Sequence, residues 1–310
     1  MASGPASTRE KSATRIPSNA PDVSATARTV GGPTGGRGPT ERHRAGTRPS
    51  GRLSSIRGMN VTVLAKFVPN PTGTPALGPD NLLIRDAGDG ALDPGDEYGL
   101  ELGLQLVEAG GGEVTVVSMG PPEALGGVQR GLAMGAHRGL LVTDAGLRGA
   151  DALVTARVLA AAIGRTTYDL VIAGVESTDG YTGTMPATIA ELLGIASVTA
   201  VRKLDPDGDG FRAERQTESG YDVLTAPKPA LITVTAGATD PRYPSLKGIM
   251  AAKSKPVDTL SAADLGVTDL AATQTVATVT DAPAKAGGEV VTGDEGVVRI
   301  ADLLADAKVI

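Results

Sequence analysis

From Met59 onward, short apolar runs rich in β-branched residues alternate with capped, helix-forming stretches, and this alternation limits the fold more than any other feature of the chain. A strand that is followed by a helix and then by another strand returns parallel to the first through a right-handed crossover, so repetition builds an open sheet with helices on both faces. Val61-Thr62-Val63-Leu64-Ala65 reads as a buried strand. Asp93-Pro94-Gly95-Asp96-Glu97 opens a helix, with Asp93 as N-cap, Pro94 in the first turn and carboxylates near the positive end of the dipole. Strand Glu113–Met119 follows, then a helix after Gly120-Pro121-Pro122 running to about Gly135. Strand Gly139–Thr143, a helix from Asp151 to about Ile163, strand Asp169–Ala173, a helix to about Gly194 and a strand near Val198–Val201 complete the series. The expectation is an α/β fold with a doubly wound, mainly parallel sheet.

The rhythm then changes. Two strands flank Asp205-Pro206-Asp207-Gly208-Asp209-Gly210, and a second pair is read around Tyr221 and Leu231, so an antiparallel edge is expected on the same sheet. The run 205–210 imitates the start of a calcium loop, but its twelfth position is Gln216 rather than a bidentate Glu, and strands flank it; a hairpin turn is the better reading. Residues 256–310 form a C-terminal extension, weakly patterned over 266–296 and ending in a helix at Val298–Ala307 that either wraps a partner or packs on its own domain. At the other end, residues 1–58 are rich in Gly, Pro, Ser, Thr and Arg without periodicity and are expected to be a disordered tail. This leader resembles a transit peptide, yet it equally fits translation annotated upstream of a start at Met59, the reading adopted.

Composition removes several chemistries. With no cysteine in 310 residues, disulfides, thiolate-bound zinc, cysteine-ligated clusters and cysteine nucleophiles are excluded. The two histidines, His43 and His137, leave little for a catalytic triad or a multi-histidine metal site; His137 reads as a surface residue compensating a helix dipole, and no metal is expected. Residues 1–58 carry ten Lys/Arg against Glu10, Asp22 and Glu41, while the remainder carries 19 basic against 32 acidic residues. Such an acidic body repels phosphate backbones, so nucleic acid is not expected as a partner. No apolar run reaches the roughly 18–20 residues of a membrane span. The chain is read as cytoplasmic.

In open parallel sheets, ligands sit beyond the carboxyl ends of the strands. Three segments converge there: Leu64-Ala65-Lys66, Ser118-Met119-Gly120 and Gly174–Met185. Glycines at 174, 180 and 183 let backbone approach a ligand, and the following helix N-terminus favours a phosphate; the same glycines also suit tight strand-to-helix turns. Glu176, Asp179 and Glu191 receive no catalytic role, since scattered acids are normal in an acidic protein. Farther on, Arg242-Tyr243-Pro244-Ser245-Leu246-Lys247-Gly248-Ile249-Met250 mixes prolines, an aromatic, apolar residues and cations, and reads either as a solvated loop or as a docking element over 237–255.

These segments together resemble the electron-transfer flavoprotein beta subunit along nearly all of residues 59–310. The match rests on Val61–Lys66, Asp93–Glu97, Val116–Pro122 with Ala133-Met134-Gly135-Ala136, Gly174–Met185 and Asp240–Met250, the last being the most specific. The resemblance implies an adenine-nucleotide-binding sheet over 59–255 that holds AMP structurally, with FAD shared with an alpha subunit in a heterodimer. It implies dehydrogenase partners of the acyl-CoA class, a quinone oxidoreductase as acceptor, and no catalytic residues of its own. It assigns cofactor binding to Leu64, Asp93, Pro94, Gly95, Asp96 and Met119, and to Gly174, Val175, Glu176, Ser177, Thr178, Asp179, Gly180, Tyr181, Thr182, Gly183, Thr184 and Met185. It assigns partner docking to Leu246, Tyr243 and Arg242. Departures from the family pattern are Tyr181 and Thr184 in the nucleotide loop, and Gln216 and Ser219 beside Arg215. Two alternatives stay open: a stand-alone nucleotide-binding regulator of the universal-stress type, which would have no use for 237–255, and an electron-bifurcating subunit with a second FAD.

Overall fold

The computed structural model of the protein describes residues 58–85, 90–280, 282–283, 288 and 290–309, so the expected tail lies outside the described residues up to Gly58. Two compact units are present, one reaching Thr275 and the other beginning at Val276.

The first unit is built on a nine-stranded sheet in which β1 (Met59–Leu64) is an interior strand. β4 (Gly112–Met119) pairs parallel on one side of it and β6 (Leu170–Gly174) on the other. β5 (Arg138–Val142) lies outside β4, and beyond β6 come β10 (Ala230–Val234) and then β7 (Ala196–Asp207). Between β1 and β4 the chain makes a small antiparallel pair, β2 (Phe67–Pro69) with β3 (Gly90–Leu92).

Helices cover both faces because strands buried on both sides present apolar residues up and down. Val61 and Val63 pack with Leu100 and Leu104 of α1 (Pro94–Gly110) and Val128 and Leu132 of α2 (Leu125–Met134). Leu64, Val117 and Val171 pack with Val154 and Val158 of α3 (Ala152–Ile163) and Ile189 of α4 (Met185–Leu193). Each fully buried Leu, Ile or Val contributes on the order of 1.5–3 kcal/mol. Small residues let α1 lie close on the sheet: a Cβ at Gly99 would stand 2.9 Å from Ile172 Cγ2, and one at Gly103 3.1 Å from Val61 Cγ1. The anticipated caps form: Asp93 Oδ1 accepts the Gly95 N–H at 2.8 Å and Asp151 Oδ1 the Val154 N–H at 2.8 Å.

The antiparallel edge exists but has a different membership. β7 pairs with β8 (Gly210–Thr217) across the Asp207–Gly210 turn, where Gly208 takes φ +57°, and β8 pairs with β9 (Gly220–Pro227). The strand at Leu231 does not pair with the one at Tyr221. β10 instead inserts parallel between β6 and β7, because Ala230-Leu231-Ile232-Thr233-Val234 is apolar enough to be buried on both faces. Within the C-terminal extension, β11 (Val257–Leu260) completes the sheet parallel to β5, and the loop expected around Leu246 carries the short helix α5 (Leu246–Ala252), capped by Ser245. The second unit holds α6 (Gly293–Asp306).

Candidate functional site

β1 and β6 are adjacent and parallel, yet the connection after β1 leads to α1 on one face and that after β6 to α4 on the other. Their carboxyl ends therefore part into a crevice, the switch point at which doubly wound sheets take ligands.

Two carboxylates tie together the elements around this switch point. Asp96, in the first turn of α1, accepts the Lys66 N–H at 2.7 Å on one oxygen and the Gly174 N–H at 3.1 Å on the other, tying the ends of β1 and β6 together. A Cβ at Gly174 would lie 2.8 Å from Asp96 Oδ1, so this contact requires glycine. Burial, and then the charge of Asp93, push the Asp96 carboxyl up to about 7 against the two N–H donors that favour its ionised form. Asp93 Oδ2 accepts both the Thr178 N–H and its hydroxyl at 2.7 Å each, fastening the 174–185 loop to the start of α1.

Asp179 is the third anchor. Its side chain, only 6% exposed, pairs with Lys66 Nζ and with Arg85, each at 2.6 Å. Burial raises its pKa, but the Lys66 charge and hydrogen bond, the Ser177 hydroxyl and Arg85 outweigh it and hold the carboxyl below its usual value. Gly180 lies against this cluster, where a Cβ would meet Ser177 Oγ at 3.0 Å. The loop then turns through Tyr181 at φ +47° and Gly183 at φ +62° into α4, whose N-terminus no side chain caps. Tyr181 is 68% exposed despite a backbone conformation that costs an aromatic residue energy. On the opposite wall, Leu64, Met119 and Met185 belong to one apolar cluster. The Ser118 hydroxyl beside Met119 is buried and has no hydrogen-bond partner among the described residues.

The structure thus brings Leu64, Asp93 to Asp96, Met119 and the 174–185 loop to one end of the sheet. Sequence reasoning missed Arg85 and gave Lys66 no side-chain role; their partner lies 94 and 113 residues away, beyond the reach of local patterns. Asp179 faces Lys66 and Arg85 rather than another carboxylate.

The segment around Leu246 is assembled differently. Arg242 donates through Nε and Nη2 to Glu101 at 2.7 and 2.9 Å, and through Nη1 and Nη2 to Glu108 at 2.5 and 3.0 Å. Its guanidinium fastens the segment to α1, while Tyr243 and Leu246 remain 89% and 77% exposed. Arg215 pairs with Asp222 at 3.4 Å, and Gln216 lines a polar depression of about 680 Å³ with Arg202, Lys203 and Thr217. His137 follows α2 and is exposed, as anticipated, and its Nδ1 accepts the N–H of Val114 in β4 at 3.0 Å. Among the described residues no cluster of three His, Cys, Asp or Glu could hold a metal ion, and no helix is long and apolar enough to cross a membrane.

An open, doubly wound α/β sheet with a ligand crevice at its switch point is the class that this geometry defines. Residues 81–265 match the family model described as the electron transfer flavoprotein domain. The chain is 41% identical over 264 residues to the electron transfer flavoprotein subunit beta of Mycobacterium tuberculosis, covering 81% of this chain and 99% of the relative. It is 38% identical over 261 residues to the same subunit of Thermoanaerobacterium thermosaccharolyticum, covering 81% and 100%. It is 35% identical over 243 residues to subunit CarD of the caffeyl-CoA reductase–Etf complex of Acetobacterium woodii, covering 76% and 92%. This chain belongs to the electron transfer flavoprotein family, in its beta-subunit branch.

Proposed function

We propose that the chain is the AMP-binding half of a heterodimeric electron carrier in the cytoplasm. Its alpha-type partner holds most of an FAD, which accepts electrons from acyl-CoA and related dehydrogenases and passes them to a quinone oxidoreductase. The chain itself performs no catalysis; when bound, the flavin supplies the electron chemistry, and the protein supplies position and electrostatics. The observation that carries the nucleotide part is the switch-point crevice. Backbone of the 174–185 loop and the uncapped N-terminus of α4 offer donors to a phosphate, Leu64, Met119 and Met185 offer an apolar wall to a base, and the buried Ser118 hydroxyl lacks a partner.

The docking part rests on Tyr243, Leu246, Ile249 and Met250, large apolar residues left in water on a segment that Arg242 pins in place. In the second unit, Val297, Val298, Ile300 and Leu303 of α6 are likewise exposed, the surface we assign to wrapping the partner subunit. Titration of the nucleotide-stripped heterodimer with AMP tests the site. Gly183→Val, which forces a β-branched residue to positive φ, should weaken AMP binding by about tenfold or more. Unchanged affinity would remove the 174–185 loop from the site.

A further inference from the structure

We propose that residues 76–85 form a strap roofing this crevice, and that Arg85 and Asp80 are positioning residues latching it across the carboxyl ends of the sheet. The inference rests on the nucleotide reading above and adds the element that controls access to it.

After β2 the chain leaves the sheet and folds back on itself. Leu77 pairs with Leu83 in an antiparallel bridge, the Gly78 N–H donates to the Leu82 carbonyl at 2.8 Å, and the Ile84 N–H donates to the Ala76 carbonyl at 2.9 Å. The Asn81 N–H returns to the Gly78 carbonyl at 3.0 Å while Asn81 takes φ +59°, closing a tight hairpin tip around Pro79 and Asp80. Pro79 restricts the backbone at the tip, and Pro69, Pro71 and Pro75 restrict the chain leading into the hairpin.

Its two anchors sit on different loops. At the base, Arg85 binds Asp179, in the loop after β6, at 2.6 Å and reaches the Phe67 carbonyl at 3.4 Å. At the tip, Asp80 pairs with Arg148 at 2.5 Å, and Leu82 lies against Gly149, where a Cβ would stand 3.3 Å from Leu82 Cδ1. Arg148 and Gly149 belong to the loop after β5. In the order β5-β4-β1-β6, three strand spacings separate the two loops, about 14 Å at ~4.8 Å each. The returning limb from Leu82 to Arg85 covers about 10 Å at ~3.3 Å per residue step, and the side chains of Arg85 and Arg148 bridge the remainder. The strap therefore matches the width of the sheet over β4 and β1, whose carboxyl ends carry Ser118, Met119, Leu64 and Lys66.

The two latches differ in strength. The Asp179 side chain is 6% exposed and shared with Lys66, whereas Asp80 and Arg148 are 39% and 70% exposed, so water and salt screen the tip pair. The tip is built to release first, with the base as its hinge.

The test loads the complete heterodimer with radiolabelled AMP and follows release into excess unlabelled AMP. Arg85→Gln and Asp80→Asn should each speed release by about tenfold, with Arg85→Lys restoring most of the parent rate. Raising NaCl from about 0.05 to about 0.5 M should speed release from the parent but not from Asp80→Asn. Because this chain has no cysteine, Asp80→Cys with Arg148→Cys can be joined by a short bismaleimide, and the tethered complex should retain AMP through the chase. AMP that is bound but released at one rate in the parent, the variants and the tethered form would overturn the strap and leave the nucleotide site standing. A parent complex that holds no AMP would overturn both.

Discussion

At the carboxyl ends of β1 and β6 the polar side chains are buried and engaged, whereas along Tyr243–Met250 the large apolar side chains stand in water. Asp93, Asp96 and Asp179 each accept at least two hydrogen bonds or ion pairs. Tyr243, Leu246 and Met250 are 89%, 77% and 62% exposed. The first region is finished within the chain, so its parts carry stability as well as any ligand. The second is held by Arg242 on α1 and by α5 lying on α2, where Gly248 meets the Ala133 carbonyl, while the large side chains it exposes contribute little to the folded chain. Substitutions in the two regions should separate accordingly: stability falls in the first, coupling to partners in the second.

The largest loss is expected at Asp96. Asp96→Ala leaves the Lys66 and Gly174 N–H groups without their acceptor in a buried place, worth about 3 kcal/mol. Urea unfolding of the full chain should show it, and a midpoint equal to the parent's would break the contrast. A pH effect at the same residue should be somewhat smaller. The folded pKa of Asp96, about 7, stands above its ordinary 3.8, so the folded chain binds the extra proton between those values. Stability at Asp96 is therefore greatest below the unfolded value and is lost as pH rises toward 7, about 2 kcal/mol between roughly pH 5.5 and 7. Asp96→Asn should flatten that part of the profile; an unchanged slope would assign it to other groups.

Arg242→Ala should cost about 2 kcal/mol, because it leaves Glu101, whose side chain is 5% exposed, without its cation. It should also weaken dehydrogenase coupling by freeing the docking segment, and loss of coupling with full stability would make Arg242 a direct contact instead. Tyr221→Ala removes the Arg202–ring contact at 4.9 Å on the antiparallel edge and should cost about 0.5–1 kcal/mol in the same unfolding experiment. Leu246→Asp, changing an exposed side chain, should move stability by less than about 0.5 kcal/mol. Reduction of the heterodimer by its dehydrogenase should nevertheless fall at least about tenfold; unimpaired reduction would deprive the docking segment of its anchor.

What could be read in the sequence follows the range of the underlying physics. Strands β1, β4, β5 and β6 and helices α1 and α3 announce themselves through short-range periodicity, and Asp93 and Asp151 mark helix starts because capping is decided within three residues. The crevice was legible for the same reason, since ligand sites follow strand ends. β10 was misplaced because an isolated apolar run does not say which neighbours it will take; only the assembled sheet shows a central slot for it. α5, seven residues long, and the β2–β3 pair were too short to declare themselves. The ion pairs Arg85–Asp179 and Arg242–Glu101 join residues 94 and 141 apart, and no local pattern encodes such a meeting. The AMP and docking roles came from family resemblance rather than from the residues alone.

The central claim is that this chain completes a nucleotide-bearing heterodimer, and its ligand content is the direct measure. The chain is co-expressed with its alpha-type subunit, and the purified complex is denatured and the released nucleotides are separated and counted. The account predicts one AMP and one FAD per heterodimer. Two FAD and no AMP would contradict the assignment of the switch-point crevice and place the chain in the bifurcating branch, and failure to form a complex or to carry any nucleotide would contradict the claim outright.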